Sequence, residues 1–335
     1  MGAVLTENEI RPDDLMAGQA ERFANDVQRL SERRNEFVAA PCPACGATEH
    51  KFRFEKYHLS YVDCVPCGTL YITPRPSPAV LDWYYANSEN YWYWNKYVFP
   101  ASENARREKI FRPRAQRLAD ACKKFGLDKG TLLEVGAGYG TFAECVRDLG
   151  MFQRIIAVEP TPDLAQTCRA KGFEVIEKPI EHVDVSQYQA DVVAAFEVIE
   201  HLFSPFDFLT LCRGVLRPGG LLMISCPNSR GFDMEILQDK AGAVDVEHLN
   251  YFHPDSLAHL AERCGFEVLE ASTPGELDAE LVRRKVLAGE HDLGRDRFLK
   301  RVLIDEWERA GASFQRFLAE NRMSGHLMLV ARKSE

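Results

Sequence analysis

Leu132-Leu133-Glu134-Val135-Gly136-Ala137-Gly138-Tyr139-Gly140-Thr141-Phe142 is the stretch on which the fold of this chain turns. An apolar run of strand type ends at Glu134, glycines follow at every second position, and Phe142 to Val146 takes up helical spacing. The pattern predicts a strand, a tight turn and a helix. Glycines are wanted there because a ligand must lie against bare backbone at a helix N-terminus. A dinucleotide-binding turn would run Gly-x-Gly-x-x-Gly, whereas Thr141 stands where its third glycine belongs and Gly140 comes one residue early. Glu134 at the strand end would repel a pyrophosphate and suits a cationic ligand.

Downstream, Ile155 to Glu159, Phe173 to Ile176, Asp191 to Phe196 and Leu221 to Cys226 read as further buried strands. Phe266 to Glu270 and His326 to Ala331 complete a set of seven. The expected fold is a doubly wound, Rossmann-like α/β sheet of seven strands, the last antiparallel, with ligands outside the carboxyl ends of the strands.

Upstream stands Cys42-Pro43-Ala44-Cys45, then eighteen residues, then Cys64-Val65-Pro66-Cys67, with Gly46 and Gly68 after the pairs. Two such knuckles suit one tetrahedral zinc bound by Cys42, Cys45, Cys64 and Cys67, because each pair supplies two sites and the hairpin between brings the pairs together. Four thiolates close the shell, so the metal is expected to be structural. The chain thus reads as an N-terminal amphipathic helix (1–37), a zinc ribbon (38–76), an aromatic and basic linker (77–126) and a large domain (127–335) with a helical insert (273–323). The linker holds three of the four tryptophans, and its rings are expected either to pack between domains or to line a pocket mouth. A helix over 101–125, broken near Pro113, carries Arg106, Arg107, Lys109, Arg112, Arg114 and Arg117. A solvated face is the leading reading of that run, and an anionic acceptor the alternative.

A hydrophobic content of 46% and a charged content of 27% are those of a soluble globular protein. A net charge of -9 argues against general affinity for nucleic acid. No apolar run is long enough to span a membrane and no signal-peptide core is present, so a cytoplasmic protein with unpaired cysteines is expected. A monomer or homodimer is expected, with the N-terminal helix and the insert as candidate dimer contacts.

The run Glu134-x-Gly136-x-Gly138-x-Gly140 resembles motif I of the class I S-adenosylmethionine-dependent methyltransferases, whose cofactor carries a sulfonium and an amino group and no phosphate. Asp191 to Leu202 is similar to that family's Phe-Asp-Val-Val-x-x-x-x-Val-x-Glu-His-Leu stretch, and Glu247 to Phe252 to its His-Leu-x-x-Phe stretch. The resemblance implies cofactor binding by Glu134, Gly136, Gly138, Gly140, Glu159, Pro160, Ile180 and Phe196. Glu159 would take the ribose hydroxyls and Ile180 would stand where the family touches adenine. It further implies that the turn after the fourth strand faces the methyl group, with His201 or His248 as base and Glu200 beside them. The order of ribbon, linker and core, from about Cys42 to Ala331, resembles the sugar methyltransferases of deoxysugar pathways, without the further C-terminal domain of their C-methylating members. O-, N- and C-methylation of a sugar, a nucleotide sugar or another small metabolite all stay open. The alternatives are a cofactor-binding regulator or scaffold without turnover, and a Rossmann-type oxidoreductase, which Glu134 and Thr141 oppose.

Overall fold

The seven runs read as strands between Leu132 and Ala331 form one sheet. The computed structural model describes residues 6–127 and 130–334; residues 128 and 129, where the sequence places the start of the large domain, lie outside the described residues. In chain order the strands are β1 (Thr131–Val135), β2 (Arg154–Val158), β3 (Glu174–Ile176), β4 (Ala190–Phe196), β5 (Leu216–Pro227), β6 (Phe266–Ser272) and β7 (His326–Lys333). Across the sheet they run β6-β7-β5-β4-β1-β2-β3. β1 to β5 are parallel and β7 is antiparallel to both neighbours. The order reverses between β1 and β4, which opens a crevice outside their carboxyl ends.

All five residues of β1 are buried, because helices cover both faces of the sheet. On one face Leu132, Val192 and Met223 share a cluster with Leu118 and Phe142 from the helices Arg112–Lys124 and Thr141–Asp148. On the other, Leu133, Val193 and Ile224 share one with Phe208 and Leu257, from the helices Pro205–Val215 and Pro254–Arg263. β5 starts at Leu216 rather than at Leu221, and an irregularity between these two residues interrupts its pairing with β4.

The cysteine pairs sit on a second sheet of His50–Lys56, Leu59–Cys64 and Leu70–Ile72. Leu70–Ile72 has a further neighbour: Asn250–Tyr251, from the segment after β5, pairs with its free edge. Cys42, Ala44, Val62, Cys64 and Tyr71 belong to the same buried cluster as Leu133 and Ile224.

The break expected at Pro113 does not occur. Phe99–Arg106, a π-helical turn at Arg107–Phe111 and Arg112–Lys124 follow one another directly. The wider turn lets Pro113 open a new helical segment, where its missing N–H and its ring meet no preceding helical carbonyl. Pro100 likewise follows a π-helical turn, Trp94–Val98. All ten cysteines are free thiols. No helix among the described residues is long and apolar enough to cross a membrane.

Candidate functional site

After β1 the chain passes through Gly136 and Gly138 at φ +74° and +55°, a region that other residues rarely adopt. A Cβ on Gly136 would lie 2.6 Å from Val198 Cγ2. This glycine therefore lets the turn after β1 pack directly on the turn after β4. A Cβ on Gly138 would meet nothing within 4 Å, so there the bare backbone faces open space. Gly140 caps the helix Thr141–Asp148.

Glu159 follows β2 and is 3% exposed. Its Oε2 accepts the Gly138 N–H at 2.8 Å and its Oε1 the Thr161 N–H at 2.9 Å. Burial raises its pKa while these two amides oppose the rise. Each oxygen keeps a lone pair for a ligand hydroxyl. Glu134 is buried and its Oε2 has no partner. Burial first, and Glu159 second, push its carboxyl well above the usual range. An orphaned buried carboxylate oxygen is costly until a donor meets it, so this pair fits an adenosyl cofactor that carries an ammonium group. Pro160 is exposed beside Glu159, and Ile180 is buried in the cluster that holds Val183 and Phe208. Phe196, at the end of β4, meets Phe142 edge-on at 4.7 Å and lies under the Arg114 guanidinium at 4.6 Å.

A second group of the sequence-derived residues is built on the turn after β4. Glu197 sits there at φ +56°, accepts from Ser225 Oγ at 2.6 Å, and faces Arg114 at 3.6 Å and His326 at 3.5 Å. Glu200 is fully buried and neither of its oxygens has a partner; burial, then Glu197, push its carboxyl well up. The His201 and His248 rings lie 4.6 Å apart. His248 Nδ1 is 2.8 Å from the Ala243 carbonyl, a contact that assigns a proton to Nδ1. The Tyr85 hydroxyl lies 3.2 Å from His201 Nδ1. Burial, then His248, hold the His201 imidazole well below its usual range, so it is neutral at cellular pH. Glu200, His201 and His248 also each offer a ligand atom, all within 4.8 Å of one another, a set able to hold a divalent cation.

The sequence-derived residues thus fall into two adjoining groups, and the linker joins both. Tyr91 OH meets Thr161 Oγ1 at 3.2 Å near Glu159, while Tyr84 OH and Asn90 Nδ2 each donate to Glu247 Oε1 at 2.9 Å beside His248. Trp92 and Tyr97 are exposed. In the basic run Arg107, Lys109 and Arg112 pair with Glu144, Glu9 and Glu108. Arg114 departs from the solvated-face reading, because it is 8% exposed and turned toward Glu197. Glu197, His326, Arg114 and Asn250 were not legible as site residues, since their partners lie far away in sequence. Tyr85 and Tyr91 carried a signal in the aromatic concentration around them.

In the second sheet, Cys42 and Cys67 Sγ are 3.5 Å apart, as are Cys45 and Cys64 Sγ, and all four lie within 4.8 Å of one another. Tetrahedral zinc at about 2.3 Å from each sulfur calls for separations of about 3.8 Å. The four thiols fit that ion with small adjustments.

A family model described as a methyltransferase domain matches residues 102–271, just over half of the chain. A probable S-adenosylmethionine-dependent methyltransferase of Mycolicibacterium smegmatis is 29% identical over 204 residues, 55% of this chain and 71% of that protein. A ubiquinone biosynthesis O-methyltransferase of a Bradyrhizobium species is 32% identical over 122 residues, 32% of this chain and 47% of that protein. The crystal structure of a SAM dependent methyltransferase from Archaeoglobus fulgidus superposes with a TM-score of 0.47 at 20% identity, over 71% of this chain and 100% of that one. The chain belongs to the methyltransferase-domain family and is a class I S-adenosylmethionine-dependent methyltransferase.

Proposed function

We propose that this enzyme methylates a small-molecule acceptor held against the turn after β4, with Glu134, Gly136, Gly138 and Glu159 binding the methyl donor. The observation that carries the reading is His201, on a turn that packs against the Gly136 turn, with the His248 ring from the segment after β5 4.6 Å from its own. S-adenosylmethionine, when bound, supplies an electrophilic methyl group. The chain's own groups align the acceptor, exclude water and take its proton. His201, kept neutral and oriented by Tyr85, is the base, and His248 packs on it. Pro160, Ile180 and Phe196 complete the adenosyl pocket.

A sugar or nucleotide sugar is the acceptor class we favour. Its support is Arg114, a buried cation that faces Glu197 at 3.6 Å, with Glu134 and Glu200 acting on it less strongly, and that would anchor an anionic group. The cysteine-bearing sheet binds one structural zinc through Cys42, Cys45, Cys64 and Cys67.

A screen of nucleotide sugars and small phenols for S-adenosylhomocysteine release tests the reading. With the acceptor found, His201→Gln is expected to lower kcat by about 100- to 10,000-fold at unchanged cofactor affinity. Near-normal turnover in this variant and in His248→Ala would remove the histidine base. The unpartnered Glu200 oxygens favour a second reading, a divalent cation on Glu200, His201 and His248 that orients the acceptor. Calorimetric titration with manganese(II) separates the two, because the base reading expects no binding that Glu200→Gln abolishes.

A further inference from the structure

The turn that carries Glu200 and His201 is held from outside. Asn250, fully buried, places its Nδ2 2.8 Å from the Leu202 carbonyl, 3.2 Å from that of Glu200 and 3.3 Å from that of Ile199. The Leu249 N–H donates to the Glu200 carbonyl at 2.8 Å. Asn250 Oδ1 in turn accepts from Arg75 Nη1 at 2.9 Å. Arg75 belongs to the cysteine-bearing segment, is 3% exposed and lies over the Phe203 ring at 4.8 Å.

Arg75 is an unusual buried cation. Its Nε has no partner, and the acidic groups that act on it are the Tyr71 phenol and the Cys42 thiol rather than a carboxylate. A guanidinium out of water is costly without a counter-charge. Four thiolates around one divalent ion would leave a net negative charge able to supply it. Backbone links run the same way. His253 Nε2 is 2.8 Å from the Cys67 carbonyl, Arg263 Nη1 donates to the Ala44 carbonyl at 2.5 Å, and Asn250 pairs with Tyr71 across the edge of the sheet.

We propose that Arg75 and Asn250 are positioning residues through which the zinc-bearing sheet sets the turn Ile199–Leu202, and with it the aim of His201. The inference rests on the zinc reading given above. The charge of Arg75 answers the metal–thiolate cluster, while its hydrogen bond fixes the Asn250 amide that gathers the three carbonyls. These two tasks can be separated by substitution.

The experiment uses the full-length, zinc-loaded protein and needs no acceptor. Zinc transfer to the chromophoric chelator 4-(2-pyridylazo)resorcinol is timed, hydrogen exchange is followed in peptides over 198–203 and 131–142, and S-adenosylhomocysteine affinity is measured. Arg75→Gln is expected to release zinc several-fold faster and to raise exchange over 198–203 by about tenfold, with 131–142 unchanged and affinity within about twofold. Arg75→Lys keeps the charge and loses the planar fork, so zinc release stays near wild type while exchange over 198–203 rises. Asn250→Ala gives the same split, and these two variants decide the matter if Arg75→Gln does not fold. Wild-type exchange over 198–203 in Asn250→Ala, unchanged zinc release in Arg75→Gln, or an equal rise over 131–142 overturns the proposal. Wild-type protein that purifies without zinc instead overturns the metal reading on which it rests.

Discussion

Glu159 commits one carboxylate oxygen to the Gly138 amide and the other to Thr161, so the residue we propose for the ribose also holds the turn we propose for the rest of the cofactor. Glu159→Ala is therefore expected to weaken S-adenosylmethionine binding by about 10- to 100-fold, read by calorimetry. Asp233 presents a different balance. It is buried, its Oδ1 has no partner, and burial with the neighbouring Asp278 pushes its carboxyl from 3.8 up to about 7. A raised folded-state pKa contributes stability that is fully present below pH 3.8 and lost as pH rises through about 7. Asp233→Asn mimics the protonated form, so it is expected to stabilise the protein at pH 8 by on the order of 2 kcal/mol, with the gain shrinking toward pH 4 in paired thermal melts. Legibility at this scale follows from locality. The glycines and the cysteine pairs announce themselves because their requirements are met within a few residues. Arg114 looked like any other member of a basic run until burial singled it out, and Asn250 gave no sign because its partners are backbone carbonyls about fifty positions away.

Among the elements, the turn after β1 packs directly on the turn after β4, because Gly136 leaves room for Val198 and nothing more. Val198 is β-branched and cannot swing its methyl aside cheaply. Gly136→Ala adds both that contact and a strained φ. It is expected to lower cofactor affinity by about tenfold or more and to displace His201 as well, which exchange over 198–203 would register. Retention of wild-type affinity and exchange would show that the two turns move independently. The seven strands were readable from apolar runs bounded by turns. The partner of Leu70–Ile72 was not, since two residues such as Asn250–Tyr251 carry no periodicity. Pro113 misled for a local reason: a π-helical turn immediately before it removes the conflict that proline normally brings to a helix.

For the molecule as a whole, the cysteine-bearing sheet and the large sheet share one buried cluster, so they are expected to melt together. Zinc removal, or Cys64→Ser, should lower Tm by several degrees in a single transition. A separate early transition that leaves the main one in place would mean that the smaller sheet unfolds by itself. The Asn250–Tyr251 strand has a further effect, on the order in which the protein can be made. Leu70–Ile72 emerges from the ribosome well before the strand that covers its edge, and at 5 to 20 residues per second the delay is roughly 10 to 40 s. During that interval the nascent hairpin can already close its four thiols on a metal, yet one edge stays open to other chains. The chain is thus most prone to misassociate midway through its synthesis, and the segment that ends the exposure is the one that then donates to the carbonyls of the turn Ile199–Leu202.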